Sequence, residues 1–207
     1  MNNIIYIYKN KIYLNLTNRC TSRCIYCIKN KWNWWFRGYN LRLKKEPTEK
    51  EVFSAISKFF ENQKSKKYKE VVFCGYGEPL IRLNLIKKIA KYLKNKNFII
   101  RINTNGHGNL IHKRNICPEL TGIIDKISIS LNGCSPELYY KLNRPKFGKK
   151  TFNQVIKFIK ESKKYIQDVT VTSIQYPEIN LLKCKHIAKK IGVKFIIRPF
   201  LNEYQKK

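Results

Sequence analysis

At 207 residues, the chain is long enough to bury a sizeable core and short for two full domains, and its formal net charge is +30. It has no apolar run of about 18 residues, and its start (MNNIIY) has no charged head before a long hydrophobic stretch. Neither a membrane span nor a secretory leader is therefore expected, and a cytoplasmic protein is. The charge points to two partners, RNA or an acidic protein, or to none: only nine of the 43 basic residues are arginine, and the lysines are scattered in pairs such as Lys87-Lys88, Lys163-Lys164 and Lys189-Lys190. An AT-rich genome would give the same excess of lysine, so solvated faces and a binding surface both remain open.

In chain order, residues 3–16 read as a hairpin, with a turn at Lys9-Asn10-Lys11 and its second arm, 12–16, as the first strand of the main sheet. Further strand patterns fall at 71–74, 98–103, 126–131, 169–174 and 193–198. Helical stripes separate several of them: Val52, Phe53, Ile56, Phe59 and Phe60, then Leu85, Ile86, Ile89, Ala90 and Leu93, then Val155, Ile156, Ile159 and Ile166. Alternation of this kind predicts an α/β fold with parallel strands, and six strands suit a partial (β/α)6 barrel of the TIM type. Thr48 and Glu51 form a capping box after Pro47, so the first helix is expected to begin near residue 49. Residues 18–47 are then a connection long enough to be functional. No repeat, linker or composition shift marks a boundary, which predicts a single domain over residues 1–207 without an appended auxiliary-cluster domain.

The most pointed feature lies in that connection. Cys20, Cys24 and Cys27 stand in the run CTSRCIYC directly after the first strand. Seven cysteines without a secretory leader argue against a disulfide framework. Zinc would need a fourth ligand from Cys74, Cys117, Cys134, Cys184, His107, His112 or His186, none of which has a paired ligand spacing. Three thiolates instead suit a 4Fe-4S cube that keeps one iron free for a small molecule. Spacing alone leaves iron–sulfur the favourite over zinc.

CTSRCIYC resembles the C-x-x-x-C-x-x-C cluster motif of the radical S-adenosylmethionine (radical SAM) superfamily, with Tyr26 in the aromatic position before the last cysteine. Gly75-Tyr76-Gly77-Glu78-Pro79 resembles its Gly-Gly-Glu-Pro segment, here with Tyr76 between the two glycines. The strings YLNLTNRCTSRCIYC, NLRLKKEPTEKEV, VVFCGYGEPLIRL, RINTNGHGNLI and SISLNG are more narrowly similar to the TatD-associated radical SAM proteins. The resemblance implies that Cys20, Cys24 and Cys27 hold a 4Fe-4S cluster whose free iron binds S-adenosylmethionine. One electron from a flavodoxin- or ferredoxin-type donor would then split the sulfonium, and a 5′-deoxyadenosyl radical would take hydrogen from a small-molecule or nucleic-acid-base substrate. It further implies that the backbone of Gly75, Gly77 and Glu78 meets the amino group of the cofactor, that Ser130 and Asn132 meet its ribose, and that Arg144 meets its carboxylate. Tyr26, Asn105 and Arg198 join the same cofactor-binding set.

Pattern and resemblance agree on location, since each motif falls at the C-terminal end of a strand, where barrel enzymes build their sites. Alternation in Ile127-Ser128-Ile129-Ser130-Leu131-Asn132 turns the apolar residues towards the helices and the polar ones into the barrel. Segment 31–39 (KWNWWFRGY) holds all three tryptophans and suits either a lid over the cluster or a stacking surface. His107 and His112 are acid or base candidates beside a plain loop role, and Cys74, Cys117, Cys134 and Cys184 read as small core or loop residues. Two other functions compete: a glycyl-radical activating enzyme acting on a partner protein, and a non-catalytic, metal-stabilised RNA-binding module.

Overall fold

The computed structural model describes residues 3–61 and 67–201. Strands β1 (Ile5–Tyr8) and β2 (Lys11–Leu14) pair antiparallel. Lys9 and Asn10 in the turn have φ of 47° and 55°, the left-handed pair whose twist matches a two-residue hairpin. The long connection holds a single helical turn, α1 (Ile28–Lys31), and a small hairpin of β3 (Trp35–Phe36) and β4 (Tyr39–Asn40). There follow α2 (Glu49–Glu61), β5 (Glu70–Phe73), α3 (Leu83–Lys94), β6 (Ile99–Thr104), α4 (Gly108–His112), β7 (Lys126–Ser130), α5 (Pro136–Asn143), α6 (Thr151–Tyr165), β8 (Asp168–Ile174), α7 (Leu181–Ile191) and β9 (Lys194–Arg198).

One sheet runs β1-β2-β5-β6-β7-β8-β9, parallel from β2 onwards. It is the expected α/β partial barrel, with six parallel strands and the hairpin at one edge. β1 and β9 form the two edges, so the barrel is open between them. The capping box is formed: Glu51 N donates to Thr48 Oγ1 at 3.2 Å and Thr48 N to Glu51 Oε2 at 2.7 Å.

Register separates the two faces. Ile12 pairs with Val71 and Val71 with Ile100, while Ile102 pairs with Ile127 and Ile127 with Val169, and all six join the main core under α2, α3 and α6. The alternate residues line the lumen, and they divide by strand. Over β1, β2 and β5 the lumen face is apolar, where Tyr6, Tyr13 and Val72 pack with Tyr8, Phe36, Tyr39 and Leu41. Over β6, β7 and β8 it is polar, with Asn103, Ser128 and Thr170 in one register row and Ser130 and Thr172 in the next.

Candidate active site

The cysteine run leaves β2 and is pinned at both ends. At its start Glu78 N donates to Arg19 O at 2.8 Å, Asn18 exchanges two hydrogen bonds with the Leu43 backbone, and Arg19 forms a fork with Glu46 at 2.7 and 2.8 Å. Further on, it docks along the chain leaving α5. Ile25 N donates to Leu142 O at 3.0 Å, Arg23 N to Asn143 O at 3.1 Å, and Lys146 N to Thr21 O at 2.8 Å. The loop is thus held as an added strand-like layer rather than left to solvent.

The three thiols are free and half-buried. Burial, with Glu78 and then Cys27 adding, pushes Cys20 up to about 11, and burial, with Cys20 and Cys27 adding, pushes Cys24 up to about 12. Bare, they stay protonated at neutral pH; as thiolates they require a strongly cationic partner. Among the described residues no three Cys, His, Asp or Glu side chains form a ready-made single-ion site. The three thiols lie close enough that Cys27 raises both of the others, and a set of three thiolates suits a 4Fe-4S cube that keeps one iron free. Two amides stand beside it: Asn105 Nδ2 donates towards Cys20 Sγ at 3.8 Å and to Thr21 Oγ1 at 3.1 Å, and Cys24 Sγ donates to Asn143 Oδ1 at 3.7 Å.

The glycines have a packing reason. A Cβ on Gly75 would sit 2.1 Å from Asn15 Oδ1, and one on Gly77 2.2 Å from Thr17 O and 2.6 Å from Arg19 O. This segment therefore presses directly on the backbone that launches the cysteine loop. Glu78 is buried, and its carboxyl accepts from Asn105 N at 2.8 Å, Thr104 Oγ1 at 2.7 Å and Leu80 N at 3.0 Å. Burial raises it to about 7 against those three donors. Its contacts tie the end of β5 to the end of β6.

The remaining expected residues separate. Ser130 faces the lumen with an uncommitted hydroxyl, and the Arg198 side chain, on the outermost strand, has no acidic partner among the described residues. Asn132 Oδ1 is taken by Ile174 N at 3.1 Å, and its carbonyl by Asn143 Nδ2 at 2.8 Å. The Tyr26 hydroxyl donates to Asn143 Oδ1. Arg144 is exposed at the C-cap of α5 with a left-handed φ of 43°, and the contact it makes with the loop is through its carbonyl. Of the two roles open to His107, acid or base and plain loop residue, its surroundings favour the second. It is fully buried, bonded at Nδ1 to Thr21 Oγ1 (2.7 Å) and at Nε2 to Tyr139 Oη (2.9 Å), and burial lowers it to about 3. His112 is spent on Leu80 O at 2.8 Å. Asn143, which gathers Tyr26, Cys24, Asn132 and Tyr139, escapes a reading that stops at its neighbour Arg144; a polar residue in the last turn of a helix next to a functional motif was the available signal.

The aromatic segment packs as a lid. Phe36 and Tyr39 seat on Tyr6 and Tyr8 of β1, Trp34 meets Tyr76 edge-on at 6.1 Å, and Tyr76 Oη donates to Trp35 O at 2.6 Å. Lys29 and Arg42 lie over the Trp34 ring at 5.3 and 5.9 Å. Tyr76, the residue between the two glycines, therefore joins the lid to the segment behind the cysteine loop.

The model of the radical SAM superfamily matches residues 14–191. An uncharacterized protein of Methanocaldococcus jannaschii is 29% identical over 86% of this chain and 52% of its own length. The dual-specificity RNA methyltransferase RlmN of Buchnera aphidicola is 27% identical over 87% of this chain and 51% of its own. The chain thus spans about half the length of these curated relatives. Among solved structures, TYW1 with a lysine-pyruvate adduct superposes over 96% of this chain and 66% of its own with a TM-score of 0.63 at 15% identity. A radical SAM methyltransferase from Sphaerobacter thermophilus gives 0.58 at 14% over 94% of this chain and 68% of its own, and both likenesses show the fold alone. With three thiols on the loop after the first parallel strand and a family model covering most of its length, the chain belongs to the radical SAM superfamily, enzymes that use a 4Fe-4S cluster and S-adenosylmethionine.

Proposed function

We propose that this chain is the catalytic domain of a radical SAM enzyme that abstracts hydrogen from a small molecule or a nucleic-acid base, and that it belongs to the TatD-associated group. When bound, the cluster and S-adenosylmethionine supply one-electron cleavage of the sulfonium to a 5′-deoxyadenosyl radical, the electron coming from a flavodoxin- or ferredoxin-type donor. The protein supplies placement. Cys20, Cys24 and Cys27 would hold the cluster, Asn105 Nδ2 would donate to the Cys20 sulfur, Asn143 would hold the loop through the Tyr26 hydroxyl, and the Gly75 to Glu78 backbone with Ser130 would receive the cofactor. The single observation that carries the reading is the pinning of all three thiols on one loop above a lumen whose uncovered wall is polar. A pure binding module has no use for that wall, which is costly to bury without a partner.

No helix among the described residues is long and apolar enough to cross a membrane, which accords with a cytoplasmic role for the domain. The test is anaerobic reconstitution with iron and sulfide, then dithionite and S-adenosylmethionine. 5′-Deoxyadenosine should form with the native chain and not with Cys20→Ala. Its absence from the native chain, with the cluster loaded, would sink the proposal.

A further inference from the structure

The polar half of the lumen contains more donors and acceptors than the protein uses. Asn103, Ser128 and Thr170 share one register row on β6, β7 and β8, and Ser130 and Thr172 form the next. None of these five side chains makes a hydrogen bond among the described residues, although Ser128, Thr170 and Thr172 are more than nine-tenths buried and Asn103 Oδ1 is shut away from solvent. Of the five, Asn103 alone has an oxygen closed off from solvent without a partner, and the four hydroxyls are left to whatever fills the lumen, so the row is available to a polar ligand.

Below that wall lies an excess of positive charge. Glu70, buried at the lumen floor, meets Arg101 Nε at 2.9 Å, Lys11 Nζ at 3.0 Å and Lys126 Nζ at 3.7 Å, so one carboxylate faces three cations. Arg101 sits one lumen-facing step below Asn103 on β6, in register with Lys126. It is ion-paired yet donates no hydrogen bond among the described residues, and its Nε is buried without an acceptor in line.

We infer that this half-lumen is a binding site for a small anionic molecule, its carboxylate or phosphate on Arg101 above the Glu70 cluster and its neutral polar body on Asn103, Ser128 and Thr170. The inference rests on the reading of the chain as a radical SAM enzyme and names the class of its substrate. Depth favours a small molecule over RNA. A base turned into the lumen would arrive neutral with its phosphates left outside, whereas the Arg101 guanidinium, shared with Glu70 alone among the described residues, lies beneath the polar row. The aromatic cluster already covers the opposite half and Ser130 in the upper row is given to the cofactor, which leaves the lower row of Asn103, Ser128 and Thr170 as the free one.

Calorimetric titration of the cluster-loaded protein with inorganic phosphate and with acetate, at high KCl to suppress surface lysines, tests the site. One of the two anions should bind saturably, and the stronger arm names the group. Arg101→Gln should weaken that binding by about tenfold or more. Because the loss of Arg101 leaves Glu70 short of a partner, Ser128→Leu, which fills the wall without changing charge, serves as a second variant and should also abolish binding while circular dichroism stays native. Lys157→Gln on the exposed face of α6 should bind as the native protein does. Equal binding in all four proteins, or no saturable binding in the native one, overturns the inference. So does a single-stranded RNA probe that depends on Arg101 and Ser128 where neither small anion does. Failure of the native protein to make 5′-deoxyadenosine would strike the enzyme reading alone, since the anion titration requires no turnover.

Discussion

The Tyr26 phenol donates to the side-chain oxygen of Asn143, the same oxygen that receives the Cys24 thiol at 3.7 Å, so the second cluster cysteine and the aromatic residue two places on are held by one amide. The other end of that amide donates to Asn132 O at 2.8 Å and Tyr139 O at 2.9 Å. Asn143 therefore joins the loop to β7 and α5 from a buried position.

Asn143→Ala should lower unfolding stability by about 2 kcal/mol or more, because it leaves buried partners on both sides unsatisfied. Asn143→Asp keeps the acceptor but loses both donations, and should fall between alanine and native in denaturant midpoint and in iron bound per chain. If Asn143→Ala loads iron at the native ratio, the amide does not organise the cluster loop.

Gly77→Ala should fail to fold or should lose the cysteine loop. The added methyl would lie 2.2 Å from Thr17 O, a backbone atom that cannot rotate away. Overpacking of this order costs about 1–3 kcal/mol even where side chains can adjust. The measurement is the denaturant midpoint beside that of Gly148→Ala, whose Cβ would meet nothing within 4 Å although its φ of 76° carries its own strain. Equal losses in the two variants would show that close approach to the loop is not what requires glycine at 77.

Much of this site could be read from the residues, and what could not has a common cause. Strand periodicity located all six parallel strands, and the Thr48 capping box located the start of α2, because both signals are local. The helices α5 and α7 are short, with apolar stripes too brief to stand out; their N-caps Ser135 and Asn180 were the stronger signs. The β3–β4 hairpin turns on Arg37-Gly38, which a run of aromatics conceals. Roles resting on long-range pairing were the hardest to read. Nothing near His107 indicates that Thr21 and Tyr139 will close over both of its nitrogens, and nothing near Arg144 indicates that its neighbour does the work.

His107 and Glu78 should give the protein two opposed pH limbs. Burial holds His107 neutral, lowered from 6.5 to about 3, so between those values the unfolded chain takes a proton that the folded one refuses, and stability falls as pH falls. Burial raises Glu78 from 4.5 to about 7, so across that range the folded chain keeps a proton that the unfolded one has lost, and stability falls as pH rises. The two oppose each other between 4.5 and 6.5. Urea titrations of His107→Gln should show stability declining from pH 4.5 to 7, and those of Glu78→Gln should show it rising from about 3 to 6.5. Curves parallel to the native one in both variants would refute the assignment.

Tyr76 should control how firmly the lid sits. Its hydroxyl donates to Trp35 O at 2.6 Å and its ring meets Trp34 edge-on, so Tyr76→Phe removes the first contact and Tyr76→Ala removes both. One hydrogen bond of about 1 kcal/mol corresponds to about a fivefold change in the population of an opened lid. Because all three tryptophans of the chain lie in this segment, their fluorescence reports the lid and nothing else. Acrylamide quenching should therefore rise from native to phenylalanine to alanine, without iron bound and with an unchanged denaturant midpoint for the phenylalanine variant. With the cluster loaded, bleaching in air should accelerate in the same order if the segment that follows Cys27 shields the cluster as well as packing on β1. Quenching that rises while bleaching stays constant would mean that the lid packs on β1 without shielding the cluster, and its aromatics would then be free to serve as a stacking surface.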